Sequence, residues 1–116
     1  MYKCTSSSMP VLGAVGFDWD DGNLAKCQKH GVAVDDIEAV FKVDVWLGVD
    51  RKHSMAEARY VAVGPGLGIR PIYIVFTLRQ RGGRLLVRPV TARYMHRKEI
   101  ERYEKEATED SENGNG

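Results

Sequence analysis

Two groups of residues in this sequence are of the kinds that handle charge and protons. Residues 23–32, NLAKCQKHGV, place Lys29 and His30 directly before Gly31, and the segments IYIVFTLRQ and RLLVRPVTARYM carry Arg79, Arg88 and Arg93 among apolar residues. Histidine has the side chain whose ordinary pKa lies nearest neutrality, so His30 could serve as base or acid. An arginine fork matches a phosphate through two parallel hydrogen bonds, so several arginines on one surface would suit a phosphate-bearing ligand. Each group also has a plain structural reading. A left-handed Gly31 ends a helix whose C-terminus Lys29 and His30 complement, and an antiparallel sheet simply exposes polar residues on one side.

The elements that must position these residues follow from the apolar periods. VGFDW alternates Val15, Phe17 and Trp19 as a short strand. Asp20 or Asp21 can cap a helix in which Leu24, Cys27 and Gln28 share a side and which Gly31 ends; an ion pair from Asp20 to a basic residue of the sheet is a second use for it. VAVDDIEAVFKV spaces Val34, Ile37, Val40 and Phe41 as a second helix, with Asp35 and Asp36 in its first turn. DVWLGVD, ARYVAVG, IYIVFTLRQ and RLLVRPVTARYM then read as four strands, the last two joined by a tight RGG turn, and HRKEIERYEKEA closes as a helix with Ile100 and Tyr103 as its apolar stripe. The expected fold is α+β, in the order β-α-α-β-β-β-β-α, a small antiparallel sheet with helices against one face. Alternation assigns Ile72, Ile74, Phe76 and Leu78 to the core, with Leu86, Val90 and Ala92 from the partner strand. Tyr73, Thr77, Arg79, Thr91 and Arg93 then share an open face together with Leu85 and Val87, while Arg88 falls on the nominal core side, where it fits poorly.

At 116 residues the chain suits one domain with one modest core. Residues 1–14 read as a flexible leader, 15–105 as the domain and 106–116 as a disordered acidic tail. The net charge of +1 favours no class of partner, but from Arg79 to Lys105 there are nine of the 17 basic residues and only three of the 16 acids. A polyanion is expected to meet that half. Two cysteines form no disulfide framework, no apolar run is long enough to span a membrane, and a cytoplasmic protein is the natural reading. Cys27 and His30 have the spacing of half a metal site, yet neither His53 nor His96 supplies a paired partner, so no metal and no cofactor is expected. Trp19 and Trp46 are read as core or interface residues before base-stacking ones, and His96 as a capping or solvated residue.

FDWDDGNLAKCQKHGV, an Ile-Glu-x-x-Phe helix, EARYVAVG, FTLR and PVTARYMHRKE, in that order from about Phe17 to Tyr103, resemble the BrnT-type toxins of bacterial type II toxin–antitoxin pairs. The resemblance implies a fold similar to the RelE-type ribonucleases and an endoribonuclease that cuts RNA and blocks translation. It also implies neutralisation by a ribbon-helix-helix antitoxin, through which alone promoter DNA is contacted, and a homodimer or a hetero-oligomer with that antitoxin. The family's Trp-Asp falls on Trp19 and Asp20, its Lys-His-Gly on Lys29, His30 and Gly31, and its Glu-Arg-aromatic strand start on Glu57, Arg59 and Tyr60, with Ala58 intervening. Its Thr-x-Arg falls on Thr77 and Arg79, and its Ser-Ala-Arg on Thr91, Ala92 and Arg93. Glu99 and Tyr103 come from the closing helix. The sequence departs from the pattern at Ala33-Val34, where a hydroxyl cap is usual, and in the leader before Val15.

Metal-free RNA cleavage needs a base for the 2′-hydroxyl, cations for the charged phosphorane and an acid for the leaving 5′-oxygen. Arg79 and Arg93 suit the cationic role. His30, Lys29, Glu99 and Tyr103 compete for the proton transfers, with Arg59, Thr77, Arg88, Thr91 and Arg97 as further RNA contacts. Two readings stand beside the nuclease: a catalytically inactive module that docks the antitoxin, and an RNA-binding protein that does not cleave.

Overall fold

The computed structural model describes residues 2–4, 12–42, 45–50, 57–68, 70–102 and 105. Two helices, α1 (Asp21–Gln28) and α2 (Val34–Val40), precede four strands, β2 (Val45–Val49), β3 (Tyr60–Pro65), β4 (Pro71–Arg81) and β5 (Arg84–Tyr94). A last helix, α3, covers 97–102. The strands form an antiparallel meander. Tyr2–Cys4, inside the stretch expected as a leader, adds a short strand β1 to the outer edge of β2.

The β4–β5 hairpin is the longest unit. Its turn is Gly82-Gly83, both at positive φ (58° and 76°), which is what a two-residue hairpin with the twist of its strands requires. Register runs evenly from Arg81↔Arg84 to Phe76↔Pro89 and then skips Val90, since Val75 faces Thr91. That one-residue bulge reverses the alternation of β5. Val87 and Pro89 are buried with Ala92, whereas Leu86 and Val90 are only half-buried. The expected core set for this strand is corrected accordingly. Arg88, misplaced by simple alternation, lies opposite Thr77 on the open face.

VGFDW is extended but is not a strand of the meander. It runs parallel to the outer edge of β5 through one bridge, Phe17↔Val87. Val15 N–H donates to Leu85 O (2.9 Å), Val87 N–H to Gly16 O (2.9 Å) and Asp18 N–H to Val87 O (2.8 Å). The next donor on that edge would come from residue 89, a proline without one.

Helix α1 starts there. Asp20 Oδ1 accepts from Asn23 N–H, and Asn23 Oδ1 accepts from Asp20 N–H, a reciprocal capping box. The buried Asn23 amide then donates to both Asp18 O and Pro89 O, each at 2.9 Å, fastening the helix to the bulged strand. This is why Asn23 and Cys27 form the buried side of α1, while Leu24 is half-buried and Gln28 exposed. Helix α2 is capped by Ala33 without a side-chain bond and is held instead by burial of Ile37, Val40 and Phe41 against Ile72, Ile74, Phe76 and Val87. Phe41 contacts Phe17 and Phe76 edge-on at 5.7 and 5.1 Å. Trp19 Nε1 donates to Glu38 Oε2 at 2.9 Å, so Trp19 serves packing between these segments.

The helices do not all share one face. Trp46, Val61, Val63 and Met95 point away from the first core and, with Tyr73, receive Ile100 of α3. The alternation of β2 and β3, whose Leu47 and Ala62 lie in the first core and Trp46 and Val63 in the second, fixes this two-sided arrangement.

Asn23→Ala removes a cap bond and strands two buried carbonyls, so urea denaturation should show a loss of about 2–3 kcal/mol. Gln28→Ala on the same helix should stay within about 0.5 kcal/mol.

Candidate functional site

On the side of β4 and β5 away from α1 and α2, cross-strand pairs stack in rows: Tyr73 opposite Arg93, Val75 opposite Thr91, Thr77 opposite Arg88 and Arg79 opposite Leu86. Tyr73, Thr77, Arg79, Thr91 and Arg93 thus share one face, as alternation predicts, and the bulge adds Arg88.

These arginines are held by carboxylates from other segments. Arg79 Nε and Nη2 donate to Glu57 Oε1 and Oε2 at 2.9 and 3.1 Å. Arg93 Nη1 and Nη2 donate to Glu99 Oε1 and Oε2 at 2.7 and 2.8 Å, and its guanidinium lies 4.8 Å over the Tyr73 ring. Arg88 reaches Asp20 Oδ2 at 2.9 Å and Asp18 Oδ2 at 3.5 Å, and Arg81 reaches Asp18 Oδ2 at 2.9 Å. Thr77 is buried between these pairs.

The pairing sets the protonation states. Hydrogen bonds from Arg93 and from the His96 backbone N–H hold the Glu99 carboxyl down at about 2. The Arg79 fork lowers Glu57, and the Asn23 backbone N–H, then Arg88, lower Asp20. Arg79 and Arg93 are raised in turn by their carboxylate partners. Burial raises the Tyr73 hydroxyl and pushes the Cys27 thiol up to about 11. Both glutamates are therefore ionised at neutral pH and sit within hydrogen-bond reach of a fixed guanidinium.

The other sequence candidates lie elsewhere. Gly31 takes φ +83° and its N–H donates to Gln28 O at 3.0 Å, the helix-ending geometry. Lys29 and His30 are exposed beside it. The end of α1 that touches Arg88 is the other one, about 12 Å away along an eight-residue helix. The fold thus brings the opening Lys-His-Gly trio to a helix C-terminus rather than to the arginines. Arg59 is half-buried at the start of β3, Thr91 is exposed, and Arg97 is almost fully exposed with a loose 3.6 Å contact to Glu101. His96 is exposed and its N–H donates to Glu99 Oε1 at 2.9 Å, so it begins α3 as a capping position. Tyr103 and His53 lie outside the described residues. Among the described residues no cluster of His, Cys, Asp and Glu is placed to hold a metal, and no helix is long and apolar enough to cross a membrane.

Composition sets nine basic residues against three acids between Arg79 and Lys105, and the structure pairs Arg79, Arg81, Arg88 and Arg93 among them with carboxylates. Asp18, Asp20 and Glu57, all from the acid-rich part of the chain, neutralise arginines of the basic part. Asp18 carries no motif of its own; its one sequence signal is that it alternates with Phe17 and Trp19. Glu57 is visible only through the Glu-x-Arg-Tyr strand start. Chemically, a fixed guanidinium can bind a phosphate oxygen, and an adjacent ionised carboxylate can accept a proton.

Because the folded-state pKa of Glu99 lies below its ordinary value, its ionised form adds stability that is fully present at neutral pH. That contribution is lost as pH falls from the ordinary Glu range through about 2. Glu99→Gln should cost about 1–2 kcal/mol at pH 7, and urea denaturation should show the gap to wild type narrowing steadily toward pH 3.

Against this geometry, the family model described as "Ribonuclease toxin, BrnT, of type II toxin-antitoxin system" matches residues 19–99. No curated protein matches the chain. The matched span runs from Trp19, bonded to α2, to Glu99, the partner of Arg93, and so includes every element that builds the arginine face except the Asp18 edge. The chain belongs to the BrnT family of ribonuclease toxins of type II toxin–antitoxin systems.

Proposed function

We propose that this chain is a metal-independent endoribonuclease that cuts RNA at the open face of the β4–β5 hairpin, blocks translation in the cytoplasm and is neutralised by a ribbon-helix-helix antitoxin. The observation that carries the reading is the pair of bidentate forks, Arg79–Glu57 and Arg93–Glu99, on one side of two adjacent strands. Each fork sets an acceptor for a proton beside a cation for a phosphate oxygen. In the proposed step a glutamate takes the 2′-hydroxyl proton and the 2′-oxygen forms a bond to phosphorus. The guanidinium of the same fork, Arg79 beside Glu57 or Arg93 beside Glu99, stabilises the phosphorane, and the bond to the 5′-oxygen breaks to leave a 2′,3′-cyclic phosphate. Thr91, Arg88 and Arg59 flank this path as RNA contacts, with Arg97 beyond them on α3, and Thr77, buried between the forks, is reached by RNA only when a fork opens. Tyr103 is the proposed acid for the 5′-oxygen, since Lys29 and His30 lie at the end of α1 remote from the arginines.

The same forks favour a second reading, a docking module without catalysis. A face whose arginines Arg79, Arg81, Arg88 and Arg93 all hold carboxylates is poorly suited to bind a polyanion until one carboxylate yields.

Expression of the chain in bacterial cells should arrest growth and fragment RNA, and purified protein should cut RNA in the presence of a chelator to leave cyclic phosphate ends. Arg79→Ala/Arg93→Ala, folded by circular dichroism, should lose at least about 100-fold in rate. Glu57→Gln and Glu99→Gln should each lose about 10- to 100-fold if its carboxylate is the base. A folded, stable wild type that neither arrests growth nor cuts RNA would establish the docking module instead.

A further inference from the structure

On the opposite side of the sheet from the arginine face lies a pocket of about 450 Å³ lined by Asp36, Gly68, Arg70, Ile72 and Tyr94. That volume falls within the roughly 300–1,000 Å³ range of small-molecule sites. Ile72 and Tyr94 are cross-strand partners, one residue along from Tyr73 and Arg93. Its rim is held in place. Leu67 N–H donates to Asp36 Oδ1 at 3.0 Å, and the β3–β4 loop approaches α2 so closely that a Cβ at Gly66 would lie 2.7 Å from Asp36 O.

The charges in this pocket behave unlike those on the other face. There Arg79, Arg81, Arg88 and Arg93 each close on a carboxylate. Here Arg70 stacks on Tyr94, its guanidinium 4.8 Å from the ring centroid, and makes no ion pair with Asp36. An acceptor and a cation–aromatic stack therefore bound one space without closing it. Such a space suits a planar group that offers donors at one edge and a π face at the other.

Among the RNA bases guanine fits best. Its N1–H and N2–H₂ form two adjacent donors that one carboxylate can accept together. Adenine and cytosine set an exocyclic amine beside a ring nitrogen whose lone pair would face the carboxylate, and uracil sets its single N–H between two carbonyls. We propose that this pocket is a base-reading subsite that takes an unpaired guanine of the RNA, with Asp36 on its Watson–Crick edge and the Arg70–Tyr94 stack against its face. The inference rests on the reading that the chain acts on RNA. It places sequence preference on the face opposite the cutting site, where RNA arrives by rounding the end of the sheet at which Met95 N–H bonds to Pro71 O.

The test uses the full chain with 5′-GMP, IMP, AMP, CMP and UMP, followed by calorimetry and amide NMR. GMP should bind about tenfold more tightly than AMP, CMP or UMP, and IMP, which lacks the 2-amino donor, should bind more weakly than GMP. The amides of Leu67, Gly68 and Tyr94 should shift. Asp36→Asn keeps an oxygen for Leu67 N–H but should abolish the preference for guanine, and Arg70→Ala should weaken all five nucleotides alike. Equal binding of the five nucleotides, a preference surviving in Asp36→Asn, or shifts confined to Thr77, Arg79 and Arg93 would overturn the assignment. Because the ligand series is read on wild type, the test stands even if a variant fails to fold. Arg79→Ala/Arg93→Ala should keep guanine selectivity whether or not wild type cleaves RNA, so failure of the nuclease reading and failure of this one remain distinguishable.

Discussion

The skipped residue Val90 decides which side chains of β5 meet the helices and which meet solvent. Without it, the register set by the Gly82-Gly83 turn would run on past Pro89, turning Ala92 outward and Arg93 inward opposite Ile72, where an unpaired guanidinium would carry a heavy desolvation cost. With it, Ala92 joins Val87 and Pro89 in the first core, and Arg93 emerges beside Tyr73 on the face that carries Arg88 and Thr77. The bulge also brings the Pro89 carbonyl to the Asn23 amide, so the position and cap of α1 depend on it. So does the approach of Asp20 to Arg88. Proline at this point is tolerated because the edge partner has already turned away into the helix, leaving no acceptor that would miss an N–H.

Electrostatically the molecule is a mosaic rather than a dipole. The first half of the chain supplies acids and the second half arginines, but the parallel run of 15–18 along β5 and the start of β3 at Glu57 bring the two sets together. The Arg79–Glu57 pair is solvent-accessible and contributes little to stability. Its value lies in orientation, because a bidentate fork fixes the plane of the guanidinium and of the carboxylate at once. Such a pair trades a wandering cation for an aimed one. A phosphate that displaces the glutamate meets a guanidinium already in place and leaves a free carboxylate within a few ångströms of it.

Much of this was legible from residue pattern. The RGG turn, the apolar row Ile72, Ile74 and Phe76, the Asp20 cap with its second use as an ion-pair partner, and the Ile37, Val40 and Phe41 side of α2 all follow from period and capping chemistry. What pattern misses is non-local. A bulge changes parity without changing composition, so Leu86 and Val90 look as much like core residues as Val87 and Pro89 do. Ile100 marks an apolar side of α3 but cannot say that Trp46 and Val63, rather than Ile37 and Phe41, receive it. VGFDW has the alternation of a strand, yet the edge it joins, and its direction, appear only in its backbone bonds to Leu85 and Val87, about seventy residues away. Tyr2–Cys4 is too short to carry a period. Of the candidate site, the arginines were visible because they alternate with apolar residues, and Glu99 lies six residues from Arg93; the carboxylates that meet Arg79, Arg81 and Arg88 come from distant segments.

The two edges of the sheet are both finished by the first eighteen residues, β1 along β2 and 15–18 along β5. During synthesis these residues leave the ribosome before either strand they must cover. They wait, unsatisfied, until β5 has been made about seventy residues later, and loop closure over that distance is slow compared with hairpin formation. In the interval the β4–β5 hairpin can form with an open outer edge, and Arg88 can emerge without Asp18 or Asp20. A nascent chain of this kind displays Arg81 and Arg88 without their acids and a pairing-competent strand edge for a short time. Completion of that edge and neutralisation of those two arginines are then a single late event in the life of the molecule.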